Sequence, residues 1–121
     1  MARGKILVVD DSPTDLAVMT TPLRRDGYSV VTAGSGEEAL VQLEQEAIDL
    51  VLLDVIMPGI NGFQLCRSLR RDQRFSRLPI VFVTSKNQDT DHYWGLKQGA
   101  DGYLTKPFST GQLLTIVQRH M

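Results

Sequence analysis

Five short apolar runs constrain the fold of this chain more than any other feature of its sequence. They are rich in Val, Ile and Leu, and polar residues do not alternate with apolar ones within them. The runs cover residues 5–9, 28–32, 49–53, 79–84 and 102–104. Such runs are typical of strands in a parallel sheet, because both faces of that sheet are covered. We therefore predict five buried parallel strands.

Helix-forming segments separate these runs. Four of them begin with a capping side chain followed three residues later by a polar residue, the spacing of a capping box or a close variant. The pairs are Ser12 with Asp15, Ser35 with Glu38, Asn61 with Gln64, and Ser109 with Gln112. Gly27 and Gly99 stand where helices should end. A fifth and weaker helix is predicted over residues 90–98, since Gly95 lies inside it.

Strand–helix alternation repeated five times predicts one α/β domain over residues 1–121. The sheet is expected to be parallel and doubly wound, with helices on both faces and right-handed crossovers. In such folds ligands bind beyond the carboxyl ends of the strands. Asp10, Asp11, Asp54, Thr84 and Lys106 are all predicted to lie at those ends.

The composition excludes several classes of protein. With 13 basic and 14 acidic residues the chain is nearly neutral, which argues against a general affinity for nucleic acid. The single cysteine, Cys66, excludes an internal disulfide and is expected to pack as a small apolar side chain. No apolar stretch reaches the roughly 20 residues that a membrane helix needs, and we expect no signal peptide. We expect a cytoplasmic monomer that does not insert into membranes.

The acidic residues at the predicted strand ends indicate a metal-assisted site. Three neighbouring carboxylates repel one another unless a cation neutralises them, and Mg²⁺ prefers oxygen ligands of this kind. Asp10, Asp11 and Asp54, with Lys106 nearby, are the pattern expected for phosphorylation of an aspartate.

Four segments together resemble the receiver domain of two-component response regulators, the family of the bacterial chemotaxis regulator. The segments are Val-Val-Asp-Asp-Ser at 8–12, Leu-Asp-Val-Ile-Met-Pro-Gly-Ile-Asn-Gly at 53–62, Val-Thr-Ser at 83–85 and Tyr-Leu-Thr-Lys-Pro-Phe at 103–108. The resemblance covers essentially the whole chain. It implies a flavodoxin-like sheet of strand order 2-1-3-4-5 with five helices.

The resemblance also implies the ligands of the metal and the residue that is modified. Asp54 is implied to accept a phosphoryl group from a kinase phosphohistidine. Mg²⁺ is implied to be held by Asp11, Asp54 and the backbone carbonyl of Ile56, with Asp10 acting mainly through water.

Other residues are implied to bind the phosphoryl group or to transmit the change. Lys106 and Thr84 are expected to contact phosphoryl oxygens, and the Lys106–Pro107 peptide bond is expected to be cis. Tyr103 is expected to rotate toward strand 4 on phosphorylation and to alter the face formed by helix 4, strand 5 and helix 5. His92, Tyr93 and Trp94 cluster on that face, and His92 and His120 are expected to be solvated.

The implied activity is that of a signalling switch, which assists only its own phosphorylation and dephosphorylation and is not a turnover enzyme. A sensor histidine kinase of the chemotaxis type and a downstream protein target are the implied partners. The segment from Thr84 to Ala100 is similar to regulators of pilus-driven twitching and related chemosensory systems. Chemotaxis or twitching motility is the expected pathway.

Alternative functions differ in how well they fit the sequence. An aspartyl-phosphate phosphatase needs Asp-x-Asp after the first strand, but Ser12 follows Asp10 at the second position. A nucleotide- or flavin-binding module needs a glycine-rich first turn, which Asp10-Asp11-Ser12-Pro13 lacks. A receiver-like adaptor that binds partners without phosphorylation remains open. The chain ends one helix after Lys106, so we expect either a single-domain regulator, which is favoured, or a receiver fragment of a larger regulator.

Overall fold

Strands and helices alternate strictly along the chain in the computed structural model, which describes residues 3–121. The strands are β1 (Lys5–Val9), β2 (Ser29–Ala33), β3 (Leu50–Leu53), β4 (Ile80–Thr84) and β5 (Gly102–Thr105). The helices are α1 (Pro13–Arg25), α2 (Gly36–Gln45), α3 (Gly62–Arg71), α4 (Asp89–Lys97) and α5 (Thr110–His120). All five predicted strands and all five helices are present. The first two residues of the predicted 1–121 domain lie outside the described residues.

The strands form one parallel sheet in the order β2-β1-β3-β4-β5, which confirms the predicted fold class. Val9, the last residue of β1, pairs with Leu53, the last residue of β3. Asp10 and Asp54 each follow these residues directly, and the Asp54 amide donates to the Val9 carbonyl at 3.0 Å. The register therefore places two carboxylates side by side at one edge of the sheet.

Two apolar layers cover the sheet because successive strand residues face opposite sides. Leu7 and Val9 of β1 pack in the layer beneath α2 and α3, whereas Ile6 and Val8 pack in the layer beneath α1 and α5. Every residue of β3 and β4 is buried. Full burial of both faces explains why these strands lack polar–apolar alternation in the sequence.

The predicted caps begin four of the helices. The side chains of Ser12, Ser35, Asn61 and Ser109 each accept a hydrogen bond from the backbone N–H three residues later. The reciprocal bond of a full capping box forms at Asn61 and Ser109. It does not form at Ser12, because the carboxylate of Asp15 pairs with Lys106 instead.

The prediction that Cys66 is buried is confirmed, whereas the prediction that both histidines are solvated is wrong. Cys66 is fully buried on α3, and burial raises the pKa of its thiol to about 11. His92 and His120 are half-buried instead of solvated. The ring of His92 stacks on Tyr103 with centroids 4.0 Å apart, which shields it from solvent.

Within residues 3–121, no helix is both long enough and apolar enough to cross a bilayer.

Arg70 joins three segments at the end of the sheet opposite Asp10 and Asp54. Its guanidinium, in a side chain only 17% exposed, donates to the carbonyls of Phe75, Leu78 and Gly99 and to the carboxylate of Asp101. Asp101 in turn accepts from the amide of Ile80, the first residue of β4. Arg70 therefore fixes where β4 and β5 begin, and these strands carry Thr84 and Lys106 at their other ends.

We expect Arg70→Met to lower the free energy of unfolding by about 2–4 kcal/mol, since it leaves three half-buried carbonyls and a partly exposed carboxylate without their donor. Arg67→Met is the matched control, because Arg67 is exposed and makes one bond to Gln98. Its effect is expected to stay within about 0.5 kcal/mol. Urea denaturation followed by circular dichroism measures both values, and equal losses in the two variants would contradict the role of Arg70.

Candidate functional site

Three of the predicted site carboxylates meet at the carboxyl end of the sheet. Asp10, Asp11 and Asp54 each offer a carboxylate oxygen, and these oxygens lie within 4.8 Å of one another. Asp10 and Asp54 are buried at the ends of β1 and β3, whereas Asp11 is exposed. The cluster therefore has two desolvated carboxylates and one that opens to solvent.

Asp10 is the most deeply buried of the three, with 1% of its surface exposed. Burial raises the pKa of this carboxyl above its ordinary value of 3.8. Hydrogen bonds from Lys106 and from the backbone N–H of Ser12 oppose that shift, the latter at 2.9 Å. The folded protein therefore favours the protonated form of Asp10 more than the unfolded chain does.

Asp54 is supported by the loop that follows it. Its Oδ1 atom accepts from the backbone N–H of Ile56 at 3.3 Å, and its side chain is 9% exposed. Gly62, the first residue of α3, lies so close that a Cβ there would stand 2.1 Å from the Asp54 carbonyl oxygen. Only glycine permits this approach of α3 to the loop. This role of Gly62 was not predicted from the sequence.

Lys106 brings a positive charge to the cluster from β5. Its Nζ atom lies 2.6 Å from Asp10, 2.9 Å from Asp15 and 3.5 Å from Asp54. Its backbone N–H donates to the Thr84 carbonyl, and the Lys106–Pro107 peptide bond is cis, as the resemblance implied. Burial alone would lower the pKa of the ammonium, but the ion pairs with Asp10 and Asp15 outweigh it and raise the pKa.

Asp15 is the residue of this site that the sequence analysis missed. Its position three residues after Ser12 fitted a helix cap, and its backbone N–H does bond to the Ser12 hydroxyl at 3.2 Å. The carboxylate, however, points to Lys106. An acidic residue in the first turn of α1, four residues after Asp11, was the available signal.

Thr84 and Tyr103 are connected through the backbone of Lys86. The fully buried Thr84 hydroxyl accepts from the Lys86 N–H at 3.4 Å, and the Tyr103 hydroxyl donates to the Lys86 carbonyl at 2.8 Å. Burial, with smaller contributions from Asp91 and Asp54, raises the pKa of Tyr103 to about 12. One residue of the β4–α4 loop therefore touches both predicted switch residues.

The Tyr103 ring lies in a close aromatic environment beneath α4. It stacks on His92 and lies 6.0 Å from the Phe82 ring. A Cβ at Gly95 would approach the rings of Tyr103 and Phe82 to 3.0–3.2 Å. In the sequence Gly95 indicates only a weak helix, but in the structure it makes room for these rings. Outward from this layer, Tyr93 and Trp94 are each 55% exposed.

The donor atoms of the acidic cluster fit a hard divalent cation. Carboxylate oxygens are the ligands that Mg²⁺ prefers, and one accessible carboxylate leaves a path for an ion to enter. Asp15 is not among the carboxylates that converge within 4.8 Å. The structure therefore brings together the three predicted metal-binding aspartates and places Lys106 and Asp15 beside them.

Comparisons with known proteins identify relatives over nearly the whole chain. The chain matches the family described as the response regulator receiver domain over residues 6–118. It is 44% identical to protein PilH of Pseudomonas aeruginosa over 114 residues, covering 94% of each chain. It is 41% identical to the DNA-binding response regulator MtrA of Mycolicibacterium smegmatis over 98% of its own length, but it spans only 51% of that protein.

A solved structure shares the whole architecture. The chemotaxis protein CheY4 of Vibrio cholerae superposes with a TM-score of 0.93 at 33% identity, over 99% of this chain and 100% of that chain. Strand order and helix number therefore belong to a common fold.

The raised pKa of Asp10 predicts a pH dependence of stability in the absence of divalent metal. The stability associated with this carboxyl is fully present below its unfolded pKa and is lost as the pH rises through its folded pKa. Asp10→Asn stays neutral, so its gain in unfolding free energy over the wild type should grow from pH 4 to pH 7. Urea denaturation in chelator measures this gain, with the exposed Asp89→Asn as control. A gain that is constant or falls with pH contradicts the prediction.

Proposed function

Because this chain belongs to the response regulator receiver domain family, we propose that it is a phosphorylation-activated switch with Asp54 as the phosphoacceptor. The observation that carries the proposal is the position of the Asp54 carboxylate, which lies beside Asp10 and Asp11 and 3.5 Å from Lys106. Receiver domains are signalling switches, and we propose that this one assists only its own phosphorylation and dephosphorylation. The proposed domain spans residues 1–121.

In the proposed reaction, a carboxylate oxygen of Asp54 attacks the phosphorus of a kinase phosphohistidine. The new P–O bond forms as the P–N bond breaks, and the imidazole leaves with the electron pair of that bond. Phosphoryl transfer depends on positioning and on compensation of charge, so the site needs no general base. In the proposed reaction Lys106 moves from its carboxylate partners to an oxygen of the phosphoryl group, and the Thr84 hydroxyl donates to another.

We further propose that Asp11, Asp54 and the backbone carbonyl of Ile56 hold Mg²⁺, with Asp10 contributing mainly through water. The convergence of three carboxylates supports this assignment. Mg²⁺, when bound, supplies positive charge that offsets the negative charge of the carboxylates and of the phosphoryl group. The buried Asp10 serves to orient the site, since it also accepts from Ser12 and Lys106.

The proposed partners are a sensor histidine kinase of the chemotaxis type and a downstream protein, in chemotaxis or twitching motility. Similarity to PilH over nearly the full length of both chains, and to the chemotaxis protein CheY4, supports a single-domain regulator of this kind. MtrA, of which this chain spans about half, supports the alternative of a receiver within a larger regulator. We propose a cytoplasmic monomer.

The proposed conformational signal runs from Asp54 through Thr84 to Tyr103. The phosphorylated Asp54 side chain carries about 1.5 to 2 negative charges, where the carboxylate carried one, and its phosphoryl oxygens attract the Thr84 hydroxyl. Thr84 and Tyr103 both bond to Lys86, so a movement of Thr84 changes the loop that also holds the Tyr103 hydroxyl. The exposed rings of Tyr93 and Trp94 on α4 then form part of the proposed output face, with β5 and α5.

We expect acetyl phosphate to add one phosphoryl group to the protein, at Asp54 and only with Mg²⁺. Intact-mass spectrometry measures the product. Asp54→Asn is expected to remain unmodified, whereas Asp89→Asn, which removes an exposed carboxylate outside the site, is expected to be modified like the wild type. Full modification of Asp54→Asn, or of the wild type in excess chelator, excludes the proposed chemistry. An unmodified wild type that still binds a partner favours the phosphorylation-independent adaptor.

We expect Thr84→Ala to leave Asp54 phosphorylatable but to uncouple Tyr103. The lost hydrogen bond contributes about 0.5–1.5 kcal/mol, so the effect of phosphorylation on partner affinity should fall by about two- to tenfold. Amide spectra with and without beryllofluoride should show smaller shifts at Tyr103 and Trp94 than in the wild type. Thr32→Ala, at an exposed position of β2, is the control. If beryllofluoride leaves the amide chemical shifts of residues 84–118 in the wild type unchanged, the proposed output face is wrong.

A further inference from the structure

Asp15 lies outside the set of implied receiver residues, yet it makes one of the two shortest contacts of Lys106. We propose that Asp15 is a positioning residue that draws the Lys106 ammonium toward α1 and away from Asp54, and so restrains uptake of the phosphoryl group. The inference rests on the proposed function and adds to it a residue that sets how readily the switch is activated.

Asp15 is held in place by the start of α1. It occupies the first turn, and its backbone N–H donates to the hydroxyl of the cap residue Ser12. The backbone N–H of Ser12 donates in turn to Asp10. Ser12 therefore bonds both to the carboxylate of Asp10 and to the backbone of Asp15, the two residues whose carboxylates lie closest to the Lys106 ammonium.

The Lys106 side chain is not fixed by packing alone. It lines a cavity of about 410 Å³ between α1 and the β5–α5 loop, with Val18, Met19 and Phe108 among the other lining residues. Because one side of the lysine faces open space, its ion pairs decide where the ammonium lies. Those pairs are at 2.6 Å to Asp10 and 2.9 Å to Asp15, whereas the 3.5 Å to Asp54 is at the limit of a hydrogen bond.

A phosphoryl group on Asp54 needs the same ammonium. Asp10 is buried beside Asp54, so a lysine that turns to Asp54 can keep contact with Asp10. Asp15 approaches from the helix and competes with that movement. Its carboxylate is 41% exposed, and ion pairs of such exposure are weak. Asp15 is therefore expected to change the affinity for a phosphoryl group only a few-fold. An effect of that size adjusts the activation of the switch without preventing it.

Titration with beryllofluoride in Mg²⁺, followed by amide spectra, tests the inference on the whole chain. Asp15→Asn removes the charge and retains the shape of the side chain, and Asp15→Glu restores the charge. Asp89→Asn removes a matched carboxylate from the first turn of α4. The 15Nζ resonance of Lys106, recorded without beryllofluoride or metal, reports directly on the ion pair.

Asp15→Asn is expected to lower the dissociation constant for beryllofluoride by about two- to fivefold and to shift the Lys106 15Nζ resonance. Asp15→Glu and Asp89→Asn are expected to behave like the wild type. In a Lys106→Met background, Asp15→Asn is expected to have no effect, because Asp15 acts through the lysine.

Two results would overturn the inference while leaving the proposed function intact. One is an unchanged dissociation constant and 15Nζ resonance in Asp15→Asn. The other is the same gain in affinity in the Lys106→Met background, which would show direct repulsion between Asp15 and the anion. A wild type that does not bind beryllofluoride at all would instead overturn the proposed function, and this inference with it.

Discussion

The ion pair between Lys106 and Asp10 compensates the charge that the parallel sheet concentrates at its carboxyl edge. The register of β1 on β3 places Asp10 and Asp54 next to each other, and both are desolvated. A buried carboxylate without a partner costs several kcal/mol, and two adjacent ones repel each other. Lys106 reaches them only because β5 follows β4 at the edge of the sheet, where the Lys106 amide bonds to the Thr84 carbonyl. The strand order therefore determines that a positive charge lies next to the two buried carboxylates.

The amino-acid pattern was sufficient to predict the elements but not the contacts between their side chains. Burial on both faces leaves a clear mark in a strand, and caps are local, so β1 to β5 and the starts of four helices follow from short segments. The partner of Asp15 could not be predicted, because its spacing from Ser12 fits a helix cap equally well. The role of Gly95 depends on rings of Phe82 and Tyr103 that come from other elements. Local sequence does not encode such distances.

A single peptide segment links the acidic site to the surface of α4. Lys86 donates its N–H to Thr84 and accepts at its carbonyl from Tyr103, so a buried hydroxyl and a half-buried ring share one residue. His92 stacks on the same ring from α4, and Gly95 lets the helix approach it. Because the ring is enclosed on these sides, a change in the position of Lys86 must be accommodated by Tyr103, by α4 or by both. The exposed Tyr93 and Trp94 lie on the element that would respond.

The electrostatics of the site relate its stability to its chemistry. Lys106 is the one ammonium that pairs with Asp10, Asp15 and Asp54, and Asp11 adds a further carboxylate to the cluster, so a single positive charge faces four carboxylates. A site in that condition gains stability from any ligand that adds positive charge to it. It also opposes the approach of an anion until such a ligand is present. In the proposed mechanism this excess of negative charge makes phosphorylation depend on Mg²⁺. The position of Lys106, which is shared among Asp10, Asp15 and Asp54, then sets how readily Asp54 is phosphorylated.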